Sequence, residues 1–181
     1  MTQHHLTSGL VVRPFESEDV DAVFAAVAAD RERLGRFMPW VWVSTTRDDT
    51  AAFITAAVAG REAGTSLQWA VFDGPRVVGA VGAGVDRLNR SAEAGYWIAA
   101  DLEGRGIVTE VMRLLISELV GSGVHRVVLR AAVGNQRSRA VAERLGFTLE
   151  GVERESLRTR GVVHDAAVYS LLAGEWPPEA G

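Results

Sequence analysis

Between residues 93 and 133 the chain changes period twice. Glu93 to Ala99 reads as an extended strand. Ile107, Val111, Leu114, Leu115 and Leu119 then recur at helical spacing, with Glu110, Arg113 and Ser117 on the opposite face, and Val127 to Val133 is extended and rich in β-branched residues. Strand, helix and strand in that order form a crossover, which sets the two strands parallel in one sheet. A chain built around such a unit is a mixed α/β protein.

The flanks add antiparallel elements. Leu10 to Phe15 reads as a strand, followed by an acidic helix start at Ser17-Glu18-Asp19 and an apolar stripe of Val20, Val23, Phe24 and Val27. Phe37 to Trp42 is aromatic and broken by Pro39, so it should be irregular or a single turn. Thr45 to Asp49 starts a second helix, carried towards Gly64 by Phe53, Ala56 and Ala57. Leu67 to Phe72 and Val77 to Val85 flank an Asp73-Gly74 turn and predict a hairpin. After the crossover come a short helix, Asn135 to Leu145, and a long final hairpin about Gly161. The sheet should be mostly antiparallel, with its parallel step near the middle.

At 181 residues, 48% hydrophobic and 23% charged, with no repeat or linker, the chain predicts one domain over 1–181. No apolar stretch is long enough to cross a bilayer and the polar start is unlike a signal peptide, so a cytoplasmic protein is expected. There is no cysteine, which removes thiolate zinc sites, disulfides and cysteine nucleophiles, and the four histidines show no ligand spacing. No metal is expected. A net charge of −4 disfavours a nucleic-acid partner. All 19 basic residues are arginine.

Chemistry concentrates in two places. Asp101 to Glu110 is a glycine-rich loop between a strand and a helix: Gly104 and Gly106 permit a sharp turn, and the free N–H groups of the first helical turn then face any anion lying there. Gly-x-Gly alone also marks ordinary turns. The loop lacks a Gly-Lys-Ser/Thr ending, and Thr109 occupies the place of a dinucleotide fingerprint's third glycine, so neither familiar nucleotide loop fits. The second place is the helix start at Asn135, where Ser138 lies three residues on and on the same face. Asn135 reads as an N-cap, and Ser138 as its neighbour or as a hydroxyl that donates to a developing anion.

Taken together, Glu93-Ala94-Gly95-Tyr96-Trp97-Ile98, Gly104 to Glu110, Asn135 to Ser138 and Leu145-Gly146-Phe147 resemble the acetyl-CoA motifs of the GNAT superfamily of N-acyltransferases, and within it the RimJ/RimL-like ribosomal-protein branch. The likeness runs along nearly the whole chain. It implies a twisted, mostly antiparallel sheet whose two central strands splay to admit the pantetheine arm. It also implies that the amides of Gly104, Arg105, Gly106, Ile107, Val108 and Thr109 hold the pyrophosphate, and that main-chain groups of Trp97 and Ile98 hold the pantetheine. Arg105 and Arg139 are candidates for phosphate, though both also suit ordinary surface positions. The serine matching Ser138 assists the leaving thiolate in RimL-like enzymes, and Asn135 orders that part of the site.

Two positions depart from the pattern. Asp101 stands where many members carry glutamine or arginine, and Leu157 stands at the position of the proposed general base, a glutamate. Glu93 and Glu155 are the replacement candidates, with His164 and Asp165 as outsiders. Alternatively no base is needed, because a terminal amine of pKa ~8 is appreciably neutral at cellular pH. Phe37, Trp40 and Trp42, with Trp69 as a weaker candidate, are expected to line the acceptor pocket. The expected activity is acetyl transfer from acetyl-CoA to a protein N-terminal amine. A small-molecule amine acetyltransferase and a non-catalytic CoA-binding sensor are the alternatives. The final hairpin makes a homodimer plausible.

Overall fold

The computed structural model describes residues 3–177, and every strand in that range joins one eight-stranded sheet in the order β1-β2-β3-β4-β5-β6-β8-β7. These strands are β1 (His4–His5), β2 (Val11–Pro14), β3 (Ser66–Asp73), β4 (Arg76–Asp86), β5 (Ser91–Ile98), β6 (Arg126–Ala132), β7 (Thr148–Thr159) and β8 (Val162–Leu172). Every neighbouring pair is antiparallel except β5 and β6, the two strands of the crossover. The helices are α1 (Val20–Ala29), α2 (Arg31–Leu34), α3 (Arg47–Ala63), α4 (Ile107–Gly121) and α5 (Gln136–Arg144). Pro39–Trp42 is a single 3-10 turn.

Alternation along the strands sends residues to two cores. Ala92, Ala94 and Ile98 of β5 pack with Ile107, Val111, Met112, Leu115, Ile116 and Leu119 of α4. Trp97, from the opposite face of the same strand, packs with Val23 and Val27 of α1 and Ile54 and Ala57 of α3. The sheet is therefore covered on both sides, α4 and α5 on one and α1 to α3 on the other.

Two elements differ from the sequence reading. His4–His5 is not merely a polar start: it pairs with Val11 and Val12 as an edge strand. On α3 the buried stripe is Thr50, Ile54 and Ala57; of the expected Phe53, Ala56 and Ala57 only Ala57 is buried, and Phe53 and Ala56 lie one residue off the stripe. A helix so rich in alanine carries too little contrast between faces to fix its own rotation. Its ends are clear, however, with a reciprocal Thr46–Asp49 capping box at the start and Gly64 at φ 67° to close it.

The feature that positions the site is the short pairing of β5 with β6. Their register runs from Ser91↔Arg126 to Ala94↔Leu129 and stops there. Beyond it β5 stays paired with β4 as far as Ile98, and β6 with β8 as far as Ala132, so the two strands follow their outer neighbours apart. A gap opens in the centre of the sheet.

Candidate active site

The gap forms the waist of a cavity of about 830 Å³. Gly95, Tyr96 and Trp97 line it from β5, and Arg130, Ala131 and Ala132 from β6. On the side of α1 and α3 it is walled by aromatic residues, among them Phe37, Trp40 and Phe53; on the side of α5 it reaches Asn135 and Ser138. The cavity thus passes through the sheet. A Cβ built on Gly95 would meet nothing within 4 Å, so this glycine leaves open the space where the strands part.

Beside the gap lies the loop into α4. Gly104 and Gly106 take left-handed backbone angles, φ 75° and 80°, which suit glycine. Gly106 is the N-cap of α4 and supplies no side chain to it. The first helical bond runs from Glu110 N–H to Gly106 C=O at 3.1 Å, which leaves the N–H groups of Ile107, Val108 and Thr109 without intrahelical acceptors. These are the donors an anion would meet. Thr109 itself is buried, and its hydroxyl accepts from Arg144 of α5 at 3.2 Å. The loop is braced by Glu103, whose carboxylate accepts from Arg33 of α2 and Arg137 of α5. Arg105 is exposed. Asp101 pairs with Arg76 at 3.0 Å, and this bond lowers the pKa of Asp101 and offsets its charge beside the loop.

Ser138 is held from three directions. Its N–H donates to Asn135 Oδ1 at 3.2 Å, the N-cap bond of α5. The phenol of Tyr96 lies 2.8 Å from Ser138 Oγ and 3.2 Å from the Ser138 carbonyl oxygen, with one hydrogen to give to either. Burial raises the pKa of Tyr96, with the serine hydrogen bond and Arg144 opposing that shift. Tyr96 carried no role in the sequence reading beyond its place in a motif. The available signal was a hydroxyl on the opposite face of β5 from Trp97, the face that turns towards α5.

The expected site residues do not all arrive. Phe37 and Trp40 line the cavity, but Trp42 does not: its ring lies under Arg160, 4.0 Å from the guanidinium carbon, and its Nε1 donates to Gly35 C=O at 2.9 Å. Trp69 is buried in the core on the α4 side. Glu93 reaches the cavity but is ion-paired with Arg130, which also faces Glu153 at 3.4 Å. Glu155 does not line the cavity; it sits at φ 53° in an irregularity of the β7–β8 register, and its N–H donates to Asp165 Oδ1 at 2.8 Å. His164 Nε2 lies 3.0 Å from Thr159 Oγ1, which donates to Arg36 C=O at 3.1 Å. Leu157 is a wall of the cavity. The backbone of Ile98 is partly engaged, since its C=O accepts from Arg33 at 2.6 Å. Arg139 Nε donates to the Tyr169 hydroxyl at 2.9 Å, which turns this arginine towards β8.

A sheet parted between its two parallel strands, beside a glycine-rich helix start, defines a class: the N-acyltransferases that the sequence motifs resemble. Comparison with known proteins gives the family. Residues 9–148 match the acetyltransferase (GNAT) domain, and the chain belongs to the GNAT acetyltransferase family. It is 35% identical over 179 residues to YdaF of Bacillus subtilis (strain 168), covering 94% of each chain; the name of that relative assigns it provisionally to the ribosomal N-acetyltransferases. Among solved structures it is similar to Mycobacterium smegmatis RimJ in complex with CoA-disulfide, with 25% identity, a TM-score of 0.84 and coverage of 93% of this chain and 84% of that one. It is similar also to the microcin C7 self-immunity acetyltransferase MccE in complex with acetyl-CoA and AMP, with 28% identity, a TM-score of 0.83 and coverage of 90% and 92%. The protein is an acetyltransferase. No helix among the described residues is long and apolar enough to cross a membrane.

Proposed function

We propose that the protein, as one acyl-CoA N-acyltransferase domain over residues 1–181, moves an acetyl group from acetyl-CoA to a primary amine, and that the amine is a protein N-terminal α-amine of the ribosomal-protein kind. The observation that carries this reading is the gap between β5 and β6 with Ser138 at its edge. The length of β5 that has parted from β6, Gly95 to Trp97, offers the backbone groups on its β6 side to an extended amide-bearing arm, and Gly95 leaves room for one. The open amides of Ile107 to Thr109 suit a pyrophosphate. RimJ and MccE, solved with CoA-disulfide and acetyl-CoA, support this donor, and YdaF supports the acceptor class.

In the reaction the neutral amine attacks the thioester carbonyl, the new C–N bond forms, and the C–S bond breaks with its electron pair on sulfur. A backbone N–H of the parted strand stabilises the developing oxyanion. Ser138 hydrogen-bonds the departing thiolate, whose pKa resembles that of a cysteine thiol, ~8.5. The proton lost from nitrogen passes to solvent in the cavity, and one proton ends on sulfur. Asn135 holds the helix start on which Ser138 stands. Glu93, tied to Arg130, is poorly placed to act as base, and Glu155 is not among the residues that line the cavity, so the amine must arrive already deprotonated or lose its proton to water.

Labelled acetyl-CoA incubated with the protein and a lysate of its host tests the acceptor. Label on protein N-termini supports the reading; label confined to small molecules would reassign the protein to a small-amine acetyltransferase. A ribosomal-protein acceptor places the reaction in the cytoplasm. Ser138→Ala should lower turnover with little change in acetyl-CoA affinity, and binding without turnover in the unaltered protein would instead mark a sensor.

A further inference from the structure

The Tyr96–Ser138 contact does more than fill space. The two hydroxyls have one proton each, and 2.8 Å separates their oxygens. In one arrangement serine donates to tyrosine and its proton is turned away from the cavity, while the phenol donates to the Ser138 carbonyl 3.2 Å away. In the other, tyrosine donates to Ser138 Oγ, and the serine proton is left free to point into the cavity that Ser138 lines. Only the second arrangement presents a donor to a departing sulfur.

We propose that Tyr96 is a positioning residue for Ser138, donating its phenolic hydrogen to the serine oxygen so that the serine hydrogen is directed at the leaving thiolate. The proposal rests on the reading of Ser138 given above and extends it by one residue. The geometry favours it for three reasons. Tyr96 is fixed by the sheet, not by a loop, since it stands opposite Val81 in the unbroken β4–β5 ladder. Ser138 is fixed independently through its backbone by Asn135. The phenol is half-buried, and this burial holds its pKa above the ordinary tyrosine value, so it keeps its hydrogen throughout the working range. An accepted hydrogen bond also draws density from Ser138 Oγ and makes the serine a better donor in turn.

Tyr96→Phe removes one hydroxyl and keeps the ring. Single-turnover rates with acetyl-CoA and a short peptide bearing a free α-amine should be measured for the unaltered protein, Tyr96→Phe, Ser138→Ala and the double variant, together with both KM values and the unfolding midpoint. Tyr96→Phe is expected to slow acetyl transfer roughly tenfold, with both KM values within about twofold. The double variant should be no slower than Ser138→Ala alone, because a device that orients the serine has nothing left to orient. Unaltered rates in Tyr96→Phe beside a slow Ser138→Ala would overturn the proposal and leave the reading of Ser138 standing. So would an equal loss from Tyr96→Phe in the presence and absence of the serine, the mark of a purely structural role. A Ser138→Ala variant as fast as the unaltered protein, or no transfer at all, would overturn both.

Discussion

On the function proposed above, Leu157 bears directly on how the rate should depend on pH. It lines the cavity and cannot take a proton. With Glu93 neutralised by Arg130, the supply of neutral amine should limit the rate. We therefore expect kcat/KM for an N-terminal amine to rise with pH and level off near the amine pKa, ~8. Leu157→Glu should move the rising limb to lower pH; rate measurements between neutral and alkaline pH check this, and identical profiles would show that the position is irrelevant. At this scale the sequence was legible wherever a motif fixes the backbone, as at Gly104, Gly106, Asn135 and Ser138. It was less legible for side chains whose direction depends on distant partners. Trp42 is drawn under Arg160, a residue of the final hairpin, and the backbone at Glu155 is held by Asp165 across that hairpin. Neither partner follows from local spacing.

Among the elements, the start of α4 carries the most explicit expectation. Gly106 has φ 80°, and a Cβ there meets nothing within 4 Å, so a substitution is strained by its backbone and not by crowding. Gly106→Glu should cost about 1–2 kcal/mol of stability while setting a carboxylate among the amides of Ile107 to Thr109. Acetyl-CoA binding measured by calorimetry should be lost, with the folded state retained. The edge of the sheet offers a second expectation. Glu150 on β7 accepts from Arg126 on β6 and from the Ser170 hydroxyl on β8 at 2.8 Å, and these bonds, Arg126 foremost, lower its pKa to about 2. A carboxylate lowered by folding stabilises the fold above its unfolded pKa, ~4.3, and this contribution is lost as pH falls towards about 2. Glu150→Gln should therefore weaken the protein against urea at neutral pH, and the difference should vanish in strong acid. The crossover, both hairpins and the helix ends were legible because each carries its own turn or cap residues. The edge strand His4–His5 and the phase of α3 were not, since a two-residue strand has no period and an alanine-rich helix has little contrast between its faces.

For the molecule as a whole, the consequence of parting β5 from β6 is that one cavity joins the two faces of the sheet. Ser138 and Tyr96 stand towards one face, and Phe37, Trp40 and Phe53 on the other. On the proposed reading, donor and acceptor would be bound together and react directly, without an acyl group parked on the protein. The family resemblance implied that two central strands splay, with Trp97 and Ile98 on one of them, but not the residue at which they part. The place is set by the register of β5 on β6, which ends at Ala94 and Leu129 because each strand continues along its outer neighbour. Gly95 is the next residue. It has no positive φ, so a β-branched side chain suits its strand conformation, and the space a Cβ would enter is open. Titrating acetyl-CoA into the unaltered protein and into Gly95→Val by calorimetry tests this most directly. The parted sheet as donor site predicts binding to the former and a loss of at least about tenfold in affinity (~1.4 kcal/mol) in the latter, at an unchanged unfolding midpoint. Equal affinity in the two proteins would contradict it.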